Sequence, residues 1–159
     1  MMLEHLITNR TQADVADVKS LAEAIKLGKA TPEQVQQYLN VHQKGAYTYE
    51  DLNRVEAAVW YVVGEMKSCG YLQYLPVIQY WERDDKPNEE DFNRYFGNVA
   101  MLRSSIPIWN STPEAPTGVV GFDFHKANAL EQILVDIELI LEYMKQAWFY
   151  LGDVYSGEV

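Results

Sequence analysis

Residues 123–151 read DFHKANALEQILVDIELILEYMKQAWFYL, the longest uninterrupted helical pattern in the chain, and the fold follows from what such a helix must touch. Placed at about 100° per residue, Ile133, Ile137, Ile140, Leu141, Met144, Ala147, Trp148 and Leu151 share one apolar arc that is wide for a surface helix. A narrower stripe of Val135, Leu139 and Tyr143 lies across from it, separated on one side by Glu131, Glu138, Glu142 and Lys145. These carboxylates read as a solvated stripe between two apolar ones. At 1.5 Å per residue the rod is on the order of 40 Å long, enough to span a small domain. Shorter helices are expected to lie against it.

Those shorter helices announce themselves by their starts. Thr11 with Asp14, and Thr31 with Pro32 and Gln34, form capping-box openings for two amphipathic segments, the first running through Val15, Val18, Leu21, Ala22 and Ile25 to Gly28, the second through Val35, Tyr38 and Leu39 to a stop near Gly45. Thr48 and Asp51 open a third, with Leu52, Val55, Ala58, Val59, Val62, Val63 and Met66 on one stripe, Trp60 and Tyr61 projecting off it, and Gly70 closing it. Asn88 caps a fourth, whose first turn holds Glu89, Glu90 and Asp91 where the helix dipole favours acids, and whose buried stripe is Phe92, Tyr95, Phe96, Val99 and Leu102. Between the third and fourth, YLQYLPVIQYW at 71–81 is broken by Pro76 and reads as an extended segment lying on the core. Residues 104–122 hold three prolines and two glycines but also Ile106, Ile108, Trp109, Val119 and Val120, so they should wrap the surface and tuck apolar side chains in. The expected fold is a single all-α domain over 1–159: a bundle of about five helices with a long C-terminal helix, a Pro-containing extended segment and a wrapping loop.

Composition agrees with a packed domain. The chain has 159 residues, 48% hydrophobic and 13% aromatic, enough to bury a core without staples. The single cysteine, Cys69, has no intramolecular partner and reads as a small buried thiol. Charged residues interrupt every long apolar run, so no membrane insertion is expected. The net charge of −10 is uneven: residues 104–159 carry eight acids and two bases, while residues 1–45 carry five of each. Phosphate backbones would be repelled and no Lys/Arg stripe attracts them, so nucleic acid is not an expected partner.

Site chemistry is sparse. His5, His42 and His125 lack zinc-type spacing, and Glu138 and Glu142 share a helix face with no histidine to complete a di-metal carboxylate motif. No nucleophile signature appears, and Gly118 and Gly121 lack the third glycine of a phosphate cradle. No catalytic residue, cofactor or metal is therefore expected. What remains is aromatic surplus. Trp148, Phe149 and Tyr150 occupy successive positions and cannot all face one core; Tyr155 follows in the tail. Either the 104–122 loop or the N-terminal decapeptide covers them, or they form a partner interface together with Trp60, Tyr61, Val135, Leu139 and Tyr143.

Four blocks carry a resemblance: TNRTQADVADVK at 8–19, KGAYTYEDLNRVEAAVWYVV at 44–63, WERDDKPNEEDFNRYFGNVAMLR at 81–103 and AWFYLGDVYSGE at 147–158. In this order they resemble a family of uncharacterised phage and prophage virion structural proteins of Gram-positive gut bacteria. The resemblance implies a non-enzymatic, tail-associated or host-contacting module with no catalytic residues. Its partners would be other virion proteins or a second copy, and its location the virion, with the bacterial cytoplasm during assembly. A second expectation, from the acidic C-terminal half, is a small phage-encoded inhibitor that imitates nucleic acid and blocks a host protein. An enzyme with an unfamiliar site is the third.

Overall fold

The computed structural model describes the backbone of residues 3–157 and the side chains of residues 3–148. Five helices follow one another: α1 (Gln12–Lys26), α2 (Pro32–Asn40), α3 (Tyr49–Ser68), α4 (Glu89–Ser105) and α5 (Phe124–Gly157). Among the described residues there is no strand, so the fold is an all-α bundle. Four of the helices start as their sequences dictate. The side chains of Thr11, Thr31, Thr48 and Asn88 accept backbone N–H groups of the first turn, while Asp14, Gln34, Asp51 and Asp91 reach back to the cap N–H. Gly28 and Gly70, just past α1 and α3, adopt φ of 65° and 87°, the left-handed turn that glycine enters without a steric cost.

Three helices make the core. α5 packs against both α3 and α4, which also touch each other. Val55, Val59, Val62 and Met66 of α3 and Phe96, Val99 and Leu102 of α4 meet Leu130, Ile133, Leu134, Ile137 and Leu141 of α5, all essentially without exposure. The expectation that every shorter helix lies against the long one needs correction. α1 and α2 pack chiefly on each other, and neither buries a single residue completely. α2 also ends earlier than its pattern suggests, at Asn40, because Val41 turns to extended backbone. In the other direction, α5 continues through Gly152 to Gly157, so 153–157 is not a separate tail.

Two irregular segments are laid along α5 in reverse direction. At the N-terminus, the Leu3 N–H donates to Glu138 (3.4 Å), the Ile7 N–H to Glu131 (2.6 Å), and the Arg10 backbone exchanges hydrogen bonds with the Asn128 amide (2.9 Å each way). Residues 106–122 do the same on another side: Trp109 stands against Tyr143, Thr112 donates to Asp136 (2.7 Å), and Phe122 closes on Phe96 and Tyr47 near the start of α5. The loop therefore tucks in Ile106 and Ile108, as its composition requires, and leaves Val119 and Val120 outside. The extended segment 71–81 crosses α3 and α4, with Tyr71, Leu75, Val77 and Trp81 against the core.

Candidate functional site

The densest polar chemistry lies under the N-terminal segment, where sequence reading places a solvated stripe. Glu131 is wholly buried and Glu138 nearly so; only Glu142 is exposed. A buried carboxylate needs charge and hydrogen bonds to offset the water it loses. Glu131 obtains both. Arg10 reaches its Oε1 at 2.7 Å and Arg54 at 2.8 Å, while Arg54 Nε holds Oε2 at 3.0 Å. The same two guanidinium groups hold Asp51, at 2.9 Å from Arg10 and 2.5 Å from Arg54. Two arginines and two carboxylates thus close into one buried square, with His42 bonded to the far oxygen of Asp51 at 3.0 Å.

Electrostatics at Asp51 follow from that geometry. Burial alone would push its carboxyl up, but hydrogen bonds from His42, the Thr48 N–H and Arg54 outweigh burial and hold it below the ordinary 3.8. Beside the square, the hydroxyls of Tyr47 and Tyr95 meet at 2.5 Å, and burial raises both phenols well above their usual range. A second buried pair joins α3 to α4: Arg94 Nη1 donates to Glu56 Oε2 at 2.8 Å and its Nη2 lies 2.6 Å from Oε1. These are ties between elements. Among the described residues no group of three or more His, Cys, Asp or Glu side chains is arranged to hold a metal ion. Two clefts, of about 410 and 400 Å³, are open and lie beside the α1–α2 hairpin, one lined by Tyr38, His42 and Arg83, the other by Arg10, Lys19, Tyr47 and Phe124.

The aromatic residues singled out by sequence fall into distinct environments. Trp60 is 65% exposed and Trp148 47%, with Tyr143 exposed as well. Tyr143 has one aromatic neighbour, Trp109 of the wrapping loop, at a ring separation of 6.4 Å. Among the described residues no ring contact joins Trp60 to Tyr143 or Trp148. Tyr61, by contrast, is half-buried against the core; burial and the neighbouring Glu65, Glu138 and Glu142 push its phenol up to about 12. Val135 and Leu139 are half-buried on α5. The side chains of Phe149, Tyr150 and Tyr155 lie outside the described residues. Lys145 of α5 pairs with Glu65 of α3, tying together the two helices that carry Trp148 and Trp60.

Sequence reasoning missed the four-residue square. Asp51 is legible as a cap of α3, and it does accept the Thr48 N–H at 2.7 Å, but its second duty depends on Arg10 and Glu131, 41 residues before it and far beyond it in the chain. No periodicity reports such a meeting. Comparison with known proteins returns no match to any family model, curated protein or solved structure. No helix among the described residues is long and apolar enough to cross a membrane.

Proposed function

We propose that the chain is a non-enzymatic structural or assembly protein of a phage or prophage virion, in the tail or at its host-contacting end, working through contacts with other virion proteins or with itself. The observation that supports the contact role is aromatic surface left on a tightly tied bundle: Trp60, Tyr143 and Trp148 stay exposed although the chain has two wrapping segments, one of which sets Trp109 against Tyr143. Trp and Tyr are the residues whose burial most often dominates protein–protein affinity. The virion assignment is supported by the sequence resemblance of the four blocks between residues 8 and 158. Localisation in the particle, and in the bacterial cytoplasm during assembly, belongs to the same proposal.

The rival reading as an acidic mimic of nucleic acid draws on the net charge of −10. It is less favoured, because Glu131, Asp136 and Glu138 are buried and cannot line a phosphate-like surface. Mass spectrometry of particles induced from a lysogen carrying this gene tests the proposal. The chain should co-purify with the particle in a fixed ratio to the tail proteins, and a W60A/W148A double variant should drop out of it while keeping its helical spectrum. Abundance in the lysate with none in the particle would overturn the assignment.

A further inference from the structure

Four aromatic side chains, Tyr47, Tyr49, Trp81 and Phe92, line a third cleft, of about 210 Å³, where the start of α3, the start of α4 and the end of segment 71–81 meet. The backbone of Trp81 is clamped to α3 by two hydrogen bonds with the Asn53 side chain, at 2.8 Å each. Phe92 stacks on Phe96 and Tyr47 meets Phe122 edge-on, but neither of those partners lines the cleft. Among the described residues no ring contact joins any two of the four. The cleft is therefore walled by rings fixed from behind.

Most polar atoms of these walls are already engaged. The Tyr47 hydroxyl meets that of Tyr95 at 2.5 Å, and the Tyr49 hydroxyl donates to Glu50 at 3.3 Å. Asp85 accepts the Glu82 N–H at 2.6 Å, and the Arg83 guanidinium donates away to the Leu39 carbonyl at 2.5 Å. One donor is left over: the indole N–H of Trp81 is buried and has no hydrogen-bond partner among the described residues. A buried donor in that state is costly until an acceptor arrives. The surrounding charge has a sign as well. Residues 82–91 carry six acids against two bases, and Glu82 and Asp85 line the cleft itself.

Negative potential and ring faces select a cation. A primary ammonium would bring three N–H donors and find few free acceptors on these walls. A trimethylammonium brings none, and its charge is met by the faces of aromatic rings. The unpartnered Trp81 N–H adds a demand for an oxygen beside that cation. Size agrees: 210 Å³ is the space of about seven waters at roughly 30 Å³ each, and choline has about seven non-hydrogen atoms.

We propose that this cleft binds a choline-type group, its trimethylammonium against Tyr47, Tyr49, Trp81 and Phe92, its oxygen accepting from the Trp81 N–H, and Glu82 and Asp85 supplying the counter-charge. The site uses none of Trp60, Tyr143 and Trp148, and it stands whether or not the protein belongs to a virion.

Nuclear magnetic resonance titration of the intact chain with choline chloride tests it, read at the Trp81 indole N–H, whose signal is assigned by its loss in Trp81→Phe. That signal should move saturably, with a dissociation constant of about 10 mM or tighter. Tetramethylammonium, which lacks the oxygen, should bind several-fold more weakly. Ethanolamine, the primary amine, and 3,3-dimethylbutanol, the uncharged isostere, should each bind at least tenfold more weakly. Tyr49→Leu should weaken choline at least tenfold while keeping the wild-type circular dichroism. Co-sedimentation with phosphatidylcholine vesicles, competed off by free choline, would identify a lipid headgroup as the source; choline binding without vesicle retention would identify the free amine. The absence of a saturable shift by about 100 mM choline would overturn the proposal. So would equal binding of ethanolamine or dimethylbutanol, or a folded Tyr49→Leu variant of unchanged affinity.

Discussion

The α3–α4–α5 core and the α1–α2 hairpin are written in the same local grammar and come out differently. All four of the shorter helices open with a capping box, and α1 carries an apolar stripe as regular as that of α3. Yet α3 and α4 bury thirteen residues between them that include Asp51, Glu56 and Asn98, whereas α1 and α2 bury none. Capping and periodicity therefore report that a helix forms and which face is apolar. They do not report how much of that face is covered. Coverage comes from where the chain sends the helix, and the ties that hold the hairpin at the side of the bundle include a Lys44–Asp14 pair at 3.5 Å, the Arg83 guanidinium donating to the Leu39 carbonyl at 2.5 Å, and the close seating of Gly45 on the start of α1.

Removing one partner of the buried square should produce the largest effect. Glu131→Ala leaves Arg10 and Arg54 buried with a single carboxylate and frees the Ile7 N–H, so urea unfolding should show a loss of about 3–5 kcal/mol. A loss under 1 kcal/mol would mean that the N-terminal segment does not dock as described. Next, Leu134→Ala, at a fully buried position of α5 in the common core, should cost about 2–5 kcal/mol by the same assay.

The joint between the two regions comes third. A Cβ on Gly45 would sit 2.0 Å from the Asp14 carbonyl oxygen, a backbone atom that can only move with its helix. Gly45→Ala should therefore cost about 1–3 kcal/mol and raise amide exchange in α1 and α2 more than in α5. Smallest is Leu21→Ala, on the half-buried face of α1, expected to cost about 1 kcal/mol or less. If it matched Leu134→Ala, the hairpin would belong to the core and the contrast would fail.

Acid should act on the core through Asp51. Its folded-state pKa lies below the ordinary 3.8, so its stabilisation is complete above that value and is lost as the pH falls below 3.8 through the folded-state pKa. Unfolding free energy measured from pH 6 downward should start to fall there through this group, and Asp51→Asn should flatten that part of the profile. An unchanged slope in the variant would remove Asp51 from the account.

Legibility followed the range of the interaction. Caps, helix bodies and the wrapping loop were readable because their causes lie within four residues or in local composition: Thr11 finds Asp14, and Asn88 finds Asp91. The long helix was readable for the same reason, but only the first part of its apolar arc is core: Ile133, Ile137, Ile140 and Leu141 are buried and Met144 half-buried, whereas Ala147 and Trp148 are exposed and the Leu151 side chain lies outside the described residues. What periodicity misassigned was Glu131 and Glu138, because an acid on a helix flank is exposed unless a cation from elsewhere arrives. Arg10 and Arg54 supply the cations for Glu131, while Glu138 is covered by the N-terminal segment and accepts the Leu3 N–H. Likewise Tyr61 reads as a projecting ring from its place on α3, but the neighbouring α5 half-buries it, while Trp60, one position earlier, stays bare.

The anchoring of residues 3–10 on α5 imposes an order of events during synthesis. Their hydrogen bonds to Asn128, Glu131 and Glu138 span 118, 124 and 135 positions, so residues 3–10 have no seat until α5 has emerged from the ribosome. The α1–α2 hairpin can curl up early, but closure of the bundle waits for α5 and is slow compared with local helix formation. A nascent chain stalled before α5 would still show Arg10 and Arg54 to solvent, which makes arginine accessibility a clock for completion of the fold.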